Sequence, residues 1–220
     1  MANHGFQLTG SHGIFQIDGT HQNMCLADVV SMQGTGGRVY YGGDIDTGYT
    51  AKFPPIITNS NSIIAMDCDN WVGIFDDSMV QPIGAGKVNT KIYVFSDKPH
   101  NWYQSNMGLS IRNDKNVEVY NSNWATMKIV DVFHLGINYI KSWNYKIPVG
   151  KKYAFAIFGG GHEVSISHYD GKTSYYFWRR VGNLFEINFM TYSEFLSAAR
   201  NMYKFIKSPM SIIVVDVTDI

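Results

Sequence analysis

One phrase of sequence occurs twice. Residues 5–29 (GFQLTGSHGIFQIDGTHQNMCLADV) and 108–132 (GLSIRNDKNVEVYNSNWATMKIVDV) align without a gap at a constant offset of 103 residues. Gly5/Gly108, Met24/Met127, Asp28/Asp131 and Val29/Val132 are identical. Apolar positions keep the same register at Phe6/Leu109, Leu8/Ile111, Ile14/Val117 and Leu26/Ile129. A repeated unit constrains a chain strongly, because each copy must fold alike and the copies must bury their apolar faces together. Each copy reads as strand, polar turn, strand, Asx turn, strand.

The copies also end alike, with Thr90–Phe95 closing the first and Ser211–Asp216 closing the second. The expected architecture is therefore mostly β, with two related antiparallel units in a sandwich-like arrangement. The units are expected over residues 1–99 and 100–220, joined near Asp97-Lys98-Pro99. The second copy is longer, by about the length of one helix. Thr191-Tyr192-Ser193-Glu194 has the form of a capping box. Phe195, Ala199, Met202, Tyr203 and Ile206 follow at helical spacing, and Pro209 would stop the run. An inserted α-helix is expected near 192–207.

Asp170-Gly171 favours a two-residue hairpin turn. It would pair His168 with Thr173, Ile166 with Tyr175, Val164 with Phe177 and His162 with Arg179. The opposite face would carry Tyr169, Tyr176 and Trp178 among polar residues, and Asn183–Phe189 would add a third strand.

Composition narrows the function classes. Only 16% of residues are charged and the formal net charge is zero, so no field favours nucleic acid or an anionic membrane. A neutral surface repels its own copies weakly, so an oligomer or a larger assembly is expected. The two cysteines, Cys25 and Cys68, make no disulfide framework. The opening residues lack the basic-then-apolar pattern of a signal peptide, and no apolar run reaches the roughly 20 residues of a membrane span.

Motifs for chemistry are weak. His162 and His168 would lie on one strand face, too far apart for one ion, with Glu163 on the other face. Asp44/Asp46 and Asp67/Asp69 resemble fragments of calcium loops, but counting from Asp44 it is Pro55 that stands where the bidentate Glu would be needed, and Asx turns account for these residues better. Gly84-Ala85-Gly86-Lys87 lacks the spacing of a phosphate loop. Gly159-Gly160-Gly161 reads as a bulge or close backbone approach. No catalytic residue, metal or cofactor is expected.

The aromatics are the better lead. Trp71, Trp102, Tyr103, Trp124, Trp143 and Trp178 stand beside turn residues, where large rings give contact area at low entropic cost. Trp178, Tyr176, Tyr169, Trp102 and Tyr103 are the candidate contact residues. Phe53 and Ile56, in the stiff apolar segment Phe53–Ile57, are candidates for permanent docking. The second unit is expected to carry the contact surface and the first the anchor.

The repeated phrase, as Gly5-Phe6-Gln7-Leu8 through Asp18 and Gly108-Leu109-Ser110-Ile111 through Asn121, resembles a motif of small proteins from the tails of tailed bacteriophages. The likeness covers residues 5–30 and 106–132 and fades over 31–90. It implies a virion tail component, at the tip, baseplate or fibre, assembled in the host cytoplasm. Its partners would be other tail proteins and a host-cell receptor. The residues alone leave a second reading open, a cytosolic lectin-like sandwich that binds carbohydrate.

Overall fold

The computed structural model describes residues 5–10, 13–18, 24–34, 48–55, 62–75, 78–82, 89–97, 108–135, 142–159, 163–166, 171–194, 204–205 and 209–220. The first half holds β1 (Gly5–Gly10), β2 (Gly13–Asp18), β3 (Cys25–Gln33), β4 (Gly48–Lys52), β5 (Ser62–Asp67), β6 (Gly73–Phe75), β7 (Ser78–Pro82) and β8 (Asn89–Ser96). The second holds β9 (Ser110–Arg112), β10 (Glu118–Asn121), β11 (Lys128–Leu135), β12 (Ser142–Lys146) and β13 (Tyr153–Gly159). It continues with β14 (Glu163–Ile166), β15 (Gly171–Val181), β16 (Leu184–Glu194), β17 (Lys204–Phe205) and β18 (Met210–Asp216).

The two halves have the same topology. In the first, β1 and β2 form a hairpin, β8 lies between β3 and β5, and β7 lies between β4 and β6. In the second, β9 and β10 form a hairpin, β18 lies between β11 and β13, and β16 lies between β12 and β15. All these pairings are antiparallel. Even the irregularities agree. The β3–β8 ladder slips between Leu26 and Asp28, and the β11–β18 ladder slips between Ile129 and Asp131, the same places in the repeat. At each bulge the aspartate accepts a hydrogen bond from the next main-chain N–H, Val29 at 2.7 Å and Val132 at 2.9 Å.

The halves then join edge to edge. β5 pairs antiparallel with β13, giving a six-stranded sheet in the order β11-β18-β13-β5-β8-β3. This order reads as two copies related by a pseudo-two-fold axis between β5 and β13. The register locates the axis at three levels. Met127 donates to the Met24 carbonyl at 2.9 Å, setting the repeat's matching methionines opposite each other. The register that pairs Phe155 with Met66 brings Ala156 beside Ala65, and these two occupy the same place in their halves, opposite Ile213 and Tyr93. In the other layer Val72 and Trp178 exchange two backbone hydrogen bonds of 2.9 Å. These two also correspond, each standing one residue before the three-residue stretch that closes on its neighbour through Phe75–Ser78 or Val181–Leu184.

The central strands of the six-stranded sheet are buried on both sides, so they read as continuous apolar runs. One face, through Met66, Ile92, Val94, Phe155, Ile212 and Val214, meets Val72, Met79, Trp178, Phe185 and Ile187 of the second layer. Phe155 and Phe185 stack across this core with centroids 3.6 Å apart. The other face gathers Leu26, Ala65, Tyr93, Phe95, Ala154, Ala156 and Val215, with Met24, Ala125 and Met127 packed against them. Gly159 has φ +72°, and a Cβ there would lie 2.1 Å from the Pro209 carbonyl oxygen, so the expected close backbone approach is present.

Two expectations are corrected. The extra length of the second half is not a helix over 192–207 in its described parts. Thr191 to Glu194 finish β16, pairing with Ser174 to Gly171, and Lys204–Phe205 pair with β14. A capping box contributes about 1 kcal/mol, whereas β15 offers a ladder along its whole length, and Thr and Tyr suit a strand. The extra residues include β14 and β17, which extend the five-stranded sheet beyond β15. The hairpin also differs. Ile166 pairs with Gly171 and Glu163 with Ser174, so a four-residue connection, 167–170, replaces the two-residue turn. Partners move by an even number of positions, so each strand keeps its faces.

The axis makes a testable demand. Ala65 and Ala156 are fully buried where the halves meet. Ala156→Leu is expected to cost about 1–3 kcal/mol by overpacking. Ala65→Leu should behave alike, and the double variant should lose a sum that is not additive, because both press on one contact. Urea unfolding of the three variants measures this, and additive losses would mean the two alanines do not share a site.

Candidate interaction surface

The second layer crosses from one half to the other beside the axis. Gly73 makes this possible, since a Cβ there would stand 3.1 Å from the Phe177 ring. Beyond the Val72–Trp178 pair the main chain of Arg180 donates to the Cys68 carbonyl at 2.7 Å. The Arg180 guanidinium then grips two carboxylates of the first half, Asp67 at 2.5 Å and Asp69 at 2.7 Å. The pair Asp67/Asp69 therefore faces an internal cation. Arg179, pointing the other way, lies over the Trp71 ring at 4.3 Å and bonds Glu186 at 2.8 Å.

The expected contact residues are distributed differently from the sequence reading. Trp178 is 4% exposed and belongs to the core between the layers, so its expected exposure is corrected. The cause is the crossing: the strand face that looks polar over 172–176 turns inward where β15 passes onto the first half. Tyr176 is half-buried against the same core. Phe53 is buried within the chain rather than displayed for a neighbour. Tyr169, Trp102, Tyr103 and Ile56 lie outside the described residues, as do Asp44, Asp46, His162 and His168. Trp143 packs with Tyr145, Phe133 and Phe185 in one aromatic cluster under β12.

Little in the described residues is poised for chemistry. Burial pushes the Cys25 thiol up to about 12. Burial also raises Cys68, against the opposing bond from the Thr90 hydroxyl. Thiols held protonated are poor nucleophiles and poor metal ligands. Among the described residues no group of three His, Cys, Asp or Glu could hold a metal ion. Among the described residues Asp216 is the buried carboxylate whose titration is displaced. Burial raises its pKa, but the Lys151 ammonium at 2.8 Å and bonds to Thr218 outweigh that and hold it at about 2.

What the sequence reading missed is an apolar edge. β11 ends the six-stranded sheet, and Ile129, Val130 and Val132 on it are 47%, 45% and 43% exposed. Their counterparts in the first half are covered: Leu26 is 6% exposed, Ala27 4%, and Val29 half-buried. The run Ile129–Phe133 has the look of a central strand, so nothing local marks it as an edge. The Arg180 grip was equally hidden, because its partners lie more than a hundred residues away in sequence.

Comparison with protein-family models, with curated proteins and with solved structures gives no match.

Two outcomes follow from this geometry. Trp178→Ala should cost on the order of 3–5 kcal/mol, while Trp178→Phe should cost much less, since the buried indole N–H has no acceptor to lose. Chemical denaturation separates the two, and a near-neutral alanine variant would return Trp178 to the surface. Asp216 stabilises the fold above its ordinary pKa of 3.8, and this contribution disappears as pH falls through about 2. Asp216→Asn should therefore melt lower than wild type at neutral pH, with the gap closing as the solution is acidified from pH 4 to pH 2. A gap that does not depend on pH would contradict the ion pair.

Proposed function

We propose that this chain is a structural component of a bacteriophage tail and works by docking to other chains. The observation that carries this reading is the bare apolar edge of β11 on a scaffold whose described charged and sulfur groups are largely engaged internally. An edge strand with exposed aliphatic side chains is a template for pairing with another chain. The resemblance of residues 5–30 and 106–132 to tail proteins supplies the setting. Both stretches carry the phrase that meets at Met24 and Met127, so the likeness falls on residues with a structural task. Host-receptor contact, if the chain makes it, rests with Tyr169, Trp102, Tyr103 and half-buried Tyr176, because Trp178 is core.

Purified particles provide the test. The chain should be present in fixed ratio to known tail proteins, and tagged protein should be seen on the tail by electron microscopy. A phage lacking the gene should give defective or non-adsorbing particles. Absence of the chain from purified particles would end this reading. Tyr169→Ala combined with Tyr103→Ala should lower adsorption while leaving particle assembly intact, and unchanged adsorption would remove receptor contact and keep the structural role.

A further inference from the structure

We propose that β11 is a self-association edge, on which a second copy of this chain docks its own β11 in antiparallel pairing about a two-fold axis. The inference stands on the fold and does not rest on the tail assignment.

The first argument is the chain's internal comparison. The same motif appears twice with the same bulge, yet Leu26 and Ala27 are buried while Ile129 and Val130 are nearly half exposed. What covers the first copy includes this chain's own matching phrase: Leu26 donates to the Ala125 carbonyl at 2.8 Å, and Ala125 and Met127 pack beside it. The motif is thus already seen covered by its own kind. The β11 of a second molecule brings aliphatic residues of the same motif to the copy left bare.

The second argument is continuity. β5 against β13 shows how two such units meet, antiparallel and about a two-fold axis. A β11 pair repeats this operation at the outer edge and doubles the six-stranded sheet without changing its pattern. The interface is isologous and closes as a dimer.

The third argument is charge. Lys128 and Asp131 flank Ile129 and Val130, so two antiparallel copies of this stretch present opposite charges to each other at both ends. Lys128 currently makes an exposed ion pair with Asp219 at 3.3 Å, which contributes little and is easily exchanged. With a net charge of zero, no long-range repulsion opposes the approach of two copies.

Sedimentation and light scattering over a hundredfold dilution of the full chain give the direct test. Twice the chain mass is expected at the concentrated end. Val132→Lys should raise the dissociation constant roughly tenfold or more, since an edge lysine blocks strand addition. Val149→Lys, at an 86% exposed valine in the turn before β13, should leave the dimer unchanged. Hydrogen exchange on wild type needs no variant: amides of 129–135 should exchange more slowly in the dimer than after dilution. A chain that stays monomeric throughout overturns the proposal and leaves this edge to a different protein. A dimer that ignores Val132→Lys, or whose β11 amides exchange equally at both concentrations, overturns it as well.

Discussion

A strand buried on both faces cannot leave its main-chain hydrogen-bonding groups unpaired on one side, because burying a free amide or carbonyl costs more than the ordinary bond contributes. β5 and β13 are such strands. Each is the inner edge of a three-stranded group, and each carries apolar residues to both faces: Ile63 and Ala65 against Ile64 and Met66, Ala154 and Ala156 against Phe155 and Ile157. Neither half could be stable with that edge open. Pairing the two edges with each other removes both liabilities at once. It also sets the axis, and the axis sets the rest: which methionines meet on one side, which residues cross on the other, and why small side chains stand at the join.

Away from the axis the halves are free to differ, and they do so in ways that suit their positions. Additional strands in the second half fall on the side of β15 away from β16, where β14 and β17 extend a sheet without disturbing the shared core. Arg180 reaches back across the join to Asp67 and Asp69 with no equivalent reach in return, since Ile74 occupies its place in the first half. Joining the layers by one guanidinium at their margin adds directionality to contacts that hydrophobic burial alone leaves unspecific.

Much of this was legible in the sequence. The repeat could be read because strand alternation and turn residues must recur in register if two copies are to fold alike. The closing strands and the strand after the Asp170-Gly171 region were legible for the same reason. The misreadings share a cause, namely that each depended on what lies across a sheet. Thr191–Glu194 has the right local chemistry to start a helix, but the ladder along β15 outweighs it. The Asp170-Gly171 turn was plausible, but pairing of β15 with β16 up to Gly171 takes that glycine into the strand. Trp178 looked exposed because its neighbours at 172, 174 and 176 alternate as on a wetted face. Only the crossing onto Val72 turns that face inward, and no local pattern reports it.

The bulge shows where local information ends. Asp28 and Asp131 hold the next amide in the same way, and both ladders slip at the preceding residue, so the backbone geometry follows from the phrase itself. Burial does not follow from it. Leu26 and Ala27 are enclosed, while Ile129 and Val130, one copy later, face outward. The first copy therefore demonstrates that this motif folds with these positions covered. Their exposure in the second copy is a property of what surrounds the sheet, not a requirement of the strand. An aliphatic edge that the fold does not need to leave open carries a free-energy gain, about 25 cal/mol for each Å² of apolar surface covered, that is realised only when another chain arrives.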